Sequence, residues 1–252
     1  MPFLEFLYRS NALQKSTAAN VILPSPEQKG PFHVMFLLHG LSDDYSIWSR
    51  RTSIERYVEG LPLIVVMPDG GRGFYTDAEQ GFAYETAVAK ELPAIIESYF
   101  PTKLPWCATG LSMGGYGAAK LALKYPERFK SGHSHSGAVL FGHLSFEESI
   151  LKRELGSELE AEFRRILGDH PTGGSNDLCS LASKLAPSDR PALRIDCGVD
   201  DFLLQDNRQF CDYLTTIDFP HEYQEFPGAH EWSYWDEHVQ EAIAFHRGVL
   251  GI

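Results

Sequence analysis

Short apolar runs alternate with stretches of helical periodicity along most of this chain. A continuous apolar run of about four to eight residues is typical of a strand buried on both faces of a parallel sheet. The predicted strands are Val21–Pro24, Phe32–Leu38, Leu61–Met67, Trp106–Thr109, Phe129–His135, Ala192–Cys197 and His221–Phe226. The predicted helices are Ile47–Glu59, Phe82–Tyr99, Tyr116–Tyr125, Asn207–Thr216 and Trp232–Gly248. Pro93 lies inside the second of these helices and predicts a kink or a local irregularity there.

One segment, at about residues 139–191, interrupts this alternation. It carries helical patterns at Glu147–Leu155 and Ser157–Leu167, then a loop at His170–Gly174, and no strand pattern. The segment is too short for a core of its own, so we expect a small helical cap inserted into a single domain that spans residues 1–252. The alternation elsewhere predicts an α/β fold with a mostly parallel, doubly wound sheet and helices on both faces.

The pentapeptide Gly110–Gly114 connects a predicted strand to a predicted helix. Its order, Gly-Leu-Ser-Met-Gly, matches the nucleophile elbow of the α/β-hydrolase fold, in which a strained turn lifts a serine Oγ above the sheet. Ser112 is therefore the candidate nucleophile. Because so short a pattern also arises by chance, the assignment depends on a base and an acid following at suitable places.

A serine hydroxyl needs a general base, and the base needs an acid that orients it. In this fold the three groups follow in the order Ser, acid, His, each in a loop after a strand. Of the ten histidines, only His230 lies in a loop directly after a late strand, so we assign it as the base. The acid is less certain from position, because Asp200 and Asp201 are adjacent in the loop after an earlier strand. Asp196 lies within that strand, where a structural hydrogen bond is the expected role.

Two backbone N–H groups are expected to form an oxyanion hole. The residue after the nucleophile, Met113, supplies one donor at the start of a helix, whose dipole also favours negative charge. The turn His39-Gly40-Leu41 follows the strand Phe32–Leu38, and its glycine permits close approach. We assign the second donor to the Leu41 N–H.

Composition and charge limit the partners and the location of the protein. The formal net charge is −12, with 22 basic against 34 acidic residues, which argues against nucleic acid or an anionic membrane as partner. The four cysteines show no CxxC spacing, so we expect free thiols in a reducing compartment. The N-terminus lacks the pattern of a signal peptide and the apolar runs are too short to span a bilayer. We therefore predict a cytoplasmic protein.

Three further features have weaker functional interpretations. His133 and His135 share one face of a strand and could bind a metal, but no third ligand has matching spacing, so hydrogen-bonded neutral histidines are favoured. The loop Gly70–Gly73 lacks a phosphate-binding framework and is expected to be a flexible loop beside the active site. No cofactor or metal is implied. Aromatic residues that either line a substrate pocket or pack at element ends are Trp48, Phe74, Tyr75, Trp232 and Trp235.

Three motifs together resemble the esterase D family of α/β-hydrolases. They are His39–Asp44, Gly110–Ala118 and Cys197–Leu203, within a resemblance that covers about Val21–Phe245. The family includes S-formylglutathione hydrolases and bacterial tributyrin/acetyl esterases. Its catalytic acid is the last Asp of a D-x-G-x-x-D stretch, and the resemblance therefore implies Asp201.

The loop Pro68–Asp77 is most similar to that of the short-chain tributyrin/acetyl esterases. The resemblance implies a serine carboxylesterase that hydrolyses acetyl to butyryl esters of small molecules through Ser112, His230 and Asp201 and an acyl-enzyme. S-formylglutathione hydrolases usually have a longer N-terminal portion and a Cys-containing segment after the oxyanion glycine, neither of which is seen here. A thioesterase of that kind or an acyltransferase stays as the alternative, and a non-catalytic binding protein is a weaker one. A homo-oligomer is left open.

Overall fold

A computed structural model describes residues 1–156 and 159–252. Within them, eight strands form one sheet in the order β1-β2-β4-β3-β5-β6-β7-β8. The strands are β1 Phe3–Ser10, β2 Lys15–Ile22, β3 His33–Leu38, β4 Leu63–Pro68, β5 Trp106–Leu111, β6 Phe129–His135, β7 Ala192–Gly198 and β8 His221–Phe226. Strand β2 is antiparallel to β1 and β4, and all other neighbours are parallel. The predicted mostly parallel α/β-hydrolase sheet is confirmed.

Helices cover both faces of this sheet, as predicted. They are α1 Ile47–Arg51, α2 Ile54–Tyr57, α3 Tyr84–Thr86, α4 Leu92–Tyr99, α5 Met113–Lys124, α6 Ile150–Leu155, α7 Glu160–Leu167, α8 Leu178–Lys184, α9 Leu204–Thr216 and α10 Trp232–Leu250. Buried residues of α1, α2 and α10 form the core on one face. Buried residues of α4, α5, α8 and α9 belong to the core on the opposite face.

The N-terminal hairpin differs from the sequence prediction. We expected one strand at Val21–Pro24, whereas β2 occupies Lys15–Ile22 and pairs along its whole length with β1. Strand β1 was not predicted, because alternate side chains face solvent on this outermost strand and no continuous apolar run results.

Two predicted helices are interrupted in the structure. The stretch Ile47–Glu59 breaks into α1 and α2 at Thr52, whose backbone is extended and whose Oγ1 accepts the N–H of Ile54 at 3.2 Å. The expected irregularity near Pro93 is a π-helical segment at Ala87–Glu91, placed between α3 and α4. Proline has no N–H to continue the helical ladder, so the backbone adopts a wider turn just before it.

The segment at 139–191 contains α6, α7 and α8 and no strand among its described residues. Helix α6 begins later than predicted, because Ser149 caps its first turn by accepting the N–H of Leu151. The predicted helix Ser157–Leu167 corresponds to α7, while Ser157 and Glu158 lie outside the described residues. Helix α8 was not predicted, and Asp177 caps its N-terminus. We propose that this segment forms the small cap of a single domain.

The sheet order places a crevice above β3 and β5. The chain passes from β3 to β4 on one side and then returns to β5 on the other, so the loops after β3 and β5 separate at their carboxyl ends. Ligands bind at such switch points in open α/β sheets. Among the described residues, none of the helices combines the length and apolarity that a bilayer crossing requires.

Candidate active site

Ser112 forms a strained turn between β5 and α5. Its φ is 53° and its ψ is −117°, a left-handed conformation that is costly for a residue with a side chain. Three backbone hydrogen bonds hold the turn: the Ser112 N–H donates to the His135 carbonyl at 2.9 Å, and the Ser112 carbonyl accepts the N–H groups of Ala138 and Tyr116, each at 3.1 Å. The end of β6 and the residues just after it therefore hold this turn in place.

The two flanking glycines let backbone pack directly on backbone. A Cβ on Gly110 would lie 2.3 Å from the carbonyl oxygen of Gly114, and a Cβ on Gly114 would lie 2.3 Å from that of Leu38. Neither main-chain atom can move aside as a flexible side chain could. The elbow thus requires glycine at both positions, and α5 sits close enough to β3 for Ser112 to approach the loop at Gly40.

His230 and Asp201 meet in the loops after β8 and β7. His230 Nδ1 donates to Asp201 Oδ2 at 2.9 Å, and the N–H of Leu203 donates to Asp201 Oδ1 at 2.8 Å. Asp201 is 5% exposed. Asp200, the other acid considered, is exposed, and its N–H donates to the Gly228 carbonyl at 2.9 Å. The structure therefore brings Asp201 against the imidazole.

With Nδ1 committed to Asp201, the second ring nitrogen of His230 is the atom that can take up a proton. Phe202 lies against the ring at a centroid distance of 4.6 Å, and Trp235 contacts its edge at 4.9 Å. Both His230 and Ser112 line the same cavity. The imidazole is thus held on three sides and faces the space that the serine also faces.

The loop after β3 is fixed through three successive carbonyl groups. Trp48 Nε1 donates to the Leu38 carbonyl at 3.0 Å, and the Tyr75 hydroxyl donates to the His39 carbonyl at 3.0 Å. The Nδ1 of His39 donates to the Gly40 carbonyl at 2.7 Å. Each donor is a buried side chain, and the donors come from different parts of the chain. The backbone of this loop is consequently rigid.

His39 also fixes the direction of the predicted oxyanion donor. Its Nε2 accepts the Gly70 N–H at 2.8 Å, which leaves the proton on Nδ1. Burial lowers the pKa of His39 despite the hydrogen bond to Gly40, so the ring stays neutral. Holding the Gly40 carbonyl holds the whole peptide plane, including the Leu41 N–H. Among the described residues, no acceptor is found for the N–H of Leu41 or of Met113.

A cavity of about 640 Å³ opens above these groups. Its walls are mostly apolar, and three charged side chains are also part of the lining. The apolar lining consists of Leu41, Phe74, Leu111, Ala138, Leu151, Phe202, Trp232 and Trp235, and the charged lining of Asp43, Arg51 and Glu231. Of the five aromatic residues considered as lining from sequence, Trp48 and Tyr75 are instead buried beside it and hold the loop after β3.

The loop Gly70–Gly73 lies beside this cavity as expected, but it is tied down at both ends. Gly70 donates to His39, and the guanidinium of Arg72 donates twice to the Glu162 carboxylate, at 2.8 and 2.7 Å. Glu162 belongs to α7. These bonds connect the loop to His39 and to the cap segment, and its flexibility stays a prediction.

His133 and His135 meet Asp196, the third group that sequence spacing did not find. Strand register places His135 beside Asp196. His133 Nε2 lies 2.5 Å and His135 Nδ1 lies 2.8 Å from Asp196 Oδ2, and the Tyr234 hydroxyl donates to Asp196 Oδ1 at 2.9 Å. Ligands of a tetrahedral zinc ion would stand about 3.3 Å apart. The contacts therefore fit direct hydrogen bonds, as expected for Asp196 within its strand.

Burial and charge act in opposite directions on the titratable groups of this cluster. Burial and the neighbouring His135 lower the pKa of His133 to about 4, although its bond to Asp196 opposes the shift. Burial alone would raise the pKa of Asp196, but His135 and His133 outweigh it and hold that pKa well below its usual range. The cluster includes His135, whose carbonyl accepts the Ser112 N–H. None of its residues lines the cavity.

Comparison with known proteins supports an esterase. A family model described as "Putative esterase" matches residues 10–246. The acetyl esterase of Caldicellulosiruptor saccharolyticus is 29% identical over 260 residues, which cover 96% of this chain and 97% of that protein.

Two solved structures from Staphylococcus aureus are similar over almost the whole chain. FphF, a fluorophosphonate-binding serine hydrolase, has a TM-score of 0.83 at 30% identity, with 97% of each chain covered. The S-formylglutathione hydrolase FrmB has a TM-score of 0.82 at 29% identity, with 97% of this chain and 98% of that chain covered. The chain belongs to the esterase family, has the esterase D-like α/β-hydrolase fold expected from its motifs, and is a carboxylic ester hydrolase.

Proposed function

We propose that this protein is a serine carboxylesterase that hydrolyses short-chain acyl esters, acetyl to butyryl, through Ser112, His230 and Asp201. The observation that carries the proposal is the hydrogen bond from His230 Nδ1 to the buried Asp201 carboxylate, on the wall of the cavity that also contains Ser112. An imidazole held in this tautomer can act as a general base toward a serine hydroxyl.

In the proposed reaction, the Ser112 Oγ attacks the ester carbonyl while His230 takes its proton. The N–H groups of Leu41 and Met113 stabilise the negative oxygen that develops, and one such donor is worth about 3–4 kcal/mol of barrier. His230 then gives the proton to the departing alcohol, which leaves an acyl group on Ser112. A water molecule, deprotonated by His230, releases the acid and restores the serine. These reaction steps need no cofactor or metal.

The cavity supports a substrate that is larger than its acyl group. A volume of about 640 Å³ far exceeds an acetyl or butyryl group, and most of its lining is apolar and aromatic. We therefore infer that the alcohol part of the natural ester is a sizeable small molecule that packs against Trp232 and Phe202. The cytoplasmic location and the absence of a nucleic-acid or membrane partner remain predictions from sequence.

A thioester substrate is the second candidate. S. aureus FrmB, an S-formylglutathione hydrolase, is covered by this chain over 98% of its length, so a longer N-terminal portion does not separate the two activities. The same machinery accepts a thioester, and it acts as an acyltransferase where an alcohol or thiol competes with water. A panel of p-nitrophenyl acetate, butyrate and octanoate with S-formylglutathione ranks these alternatives by kcat/KM. Highest kcat/KM for acetate or butyrate supports the esterase proposal, and highest kcat/KM for the thioester contradicts it.

Ser112→Ala tests the mechanism. Turnover of p-nitrophenyl acetate should fall to the background rate, and a fluorophosphonate probe that labels the wild type should no longer label the protein. Circular dichroism and thermal unfolding of the variant check that the fold is intact. Turnover clearly above background in a folded Ser112→Ala variant would show that another residue is the nucleophile.

A further inference from the structure

Strand β1 presents an open edge to solvent. It is the outermost strand of the sheet, and all eight of its residues pair with β2 without a register shift, from Phe3 opposite Ile22 to Ser10 opposite Lys15. Within the described residues, no strand lies on its other side. Proteins usually protect such edges with a bulge, a proline or a short strand. None of these three devices occurs between Phe3 and Ser10. Charged side chains can also protect an edge, but the two exposed charges here, Glu5 and Arg9, have opposite signs.

The exposed face of β1 carries an apolar centre flanked by opposite charges. Leu7 is 70% exposed, the highest fraction among the large aliphatic side chains of the described residues. Glu5 and Arg9 flank it at equal distances along the strand, and both are exposed. Arg9 makes no side-chain hydrogen bond or ion pair in the described part of the chain, and Glu5 accepts one bond, from the Tyr45 hydroxyl at 2.6 Å.

This pattern is complementary to itself. Antiparallel pairing about Leu7 would place Glu5 opposite Arg9 of the partner subunit, and the two-fold axis repeats that pair. On the other face, the same register would place Phe6 opposite Tyr8 of the partner subunit. Opposite charges and aromatic pairs directly across two strands both stabilise a sheet.

We propose that a second copy of this chain docks along the edge of β1, in antiparallel register about Leu7, so that two sheets become one. In a two-fold interface, both subunits use the same surface patch, which must therefore be complementary to itself. Tyr99, which is 72% exposed and lies 5.9 Å from the Phe6 ring, extends the contact on the second face. Three strands separate β1 from β5, and no β1 residue lines the cavity, so the dimer leaves the active site open.

Charge reversal at the edge tests the proposal. Sedimentation equilibrium of the wild type should give twice the chain mass of 28.3 kDa. Glu5→Arg or Arg9→Glu alone turns both attractive pairs into repulsive ones and should raise the dimer Kd about tenfold. The double variant restores opposite charges and should bring the Kd back to within about threefold of the wild type.

Controls separate the interface from local effects. Tyr45→Phe removes the bond to Glu5 but keeps its charge, so the dimer should persist. Leu7→Asp places two carboxylates at the axis and should give a monomer with unchanged esterase activity, which also reports on folding. A monomeric wild type overturns the proposal, and so does a dimer whose Kd is unaffected by either single reversal, because its contact would then lie elsewhere. A double variant no tighter than the single variants also overturns it.

Discussion

Two adjacent carboxylates in one loop have different surroundings at the residue scale. Asp201 is buried and accepts hydrogen bonds from His230 and from the Leu203 N–H, while Asp200 faces solvent. A carboxylate at position 201 accepts a hydrogen bond from the imidazole and stabilises the charged form of that ring. An amide in the same place can also donate, which favours the wrong tautomer of His230.

We therefore expect Asp201→Asn to lower kcat for p-nitrophenyl acetate by about 10³–10⁴-fold, as the loss of the orienting acid does in a serine triad. Asp200→Asn is the matched control, and a surface change of this kind should alter kcat by less than about twofold. Steady-state kinetics of the two variants compares them directly. A larger loss in Asp200→Asn than in Asp201→Asn would reverse the assignment.

The sequence predicts some of these residues better than others. Ser112 and His230 follow from local pattern, because an elbow and a loop after a late strand are both visible in the order of residues. Asp201 required a family motif, since position left Asp200 open. The contact of Asp196 with His135 depends on the register between β6 and β7, and these residues are separated by 61 positions. No spacing rule predicts that contact.

At the scale of elements, the strand–turn–helix unit of β5 and α5 depends on close backbone packing. Eleven of the twelve residues of α5 are buried, which is unusual for a helix on the face of a sheet. The helix can lie this deep because Gly110 and Gly114 leave no side chain between it and its neighbours.

Gly110→Ala should destabilise the protein by about 1–3 kcal/mol or more, because its Cβ would meet the Gly114 carbonyl rather than a movable side chain. Gly248→Ala in α10 is the control. Nothing lies within 4 Å of a Cβ there, and alanine in a helix is favoured by about 0.5–1 kcal/mol. Urea unfolding of both variants measures the two effects. Equal stability of Gly110→Ala and wild type would contradict the packing argument.

Strands buried on both faces were predicted well, and the two edge strands were predicted unequally. The buried strand His33–Leu38 lies close to its expected bounds, because it belongs to a continuous apolar run closed by turn residues. The edge strand His221–Phe226 lies at its expected bounds although no residue in it is fully buried. Strand β1 and helix α8 escaped detection for local reasons: one alternates exposed and half-buried residues, and the other is short and begins at an isolated cap, Asp177. The sequence predicts a kink or a local irregularity near Pro93, but not that it takes the form of a π-helical turn.

At the scale of the whole molecule, a buried ion network connects α5, the helix that follows Ser112, to the cap segment. Lys120 of α5 lies 2.7 Å from Glu85 and donates to the Tyr75 carbonyl and to Asn176 Oδ1, at 3.1 and 2.7 Å. Burial alone would raise the pKa of Glu85, but Lys120, with hydrogen bonds from Lys124 and Tyr125, lowers it to about 2. Burial lowers the pKa of Lys120 to about 8, although Glu85 opposes that shift.

The Glu85 carboxylate should make the protein sensitive to acid. Its pKa lies below the ordinary value of 4.5, so its stabilisation, about 3 kcal/mol, is complete above pH 4.5 and is lost as the pH falls toward 2. Urea unfolding of wild type and Glu85→Gln between pH 7 and pH 3 should show a gap in stability that narrows as the pH falls. Glu97→Gln, which removes an exposed ion pair with Arg128, should cost less than about 1 kcal/mol at every pH. A gap for Glu85→Gln that is constant with pH would refute this explanation.

Three side chains donate hydrogen bonds to the carbonyls of the loop after β3, and they restrict how the substrate range of this enzyme can be redesigned. Trp48 and Tyr75 lie immediately behind the cavity wall, and replacing them to enlarge the cavity would release the carbonyls of Leu38 and His39. Selectivity could then change only together with loss of rate. Leu151 of the cap segment lines the same cavity without bonding that loop. A library aimed at new esters should therefore diversify the cap side and leave the β3 side unchanged.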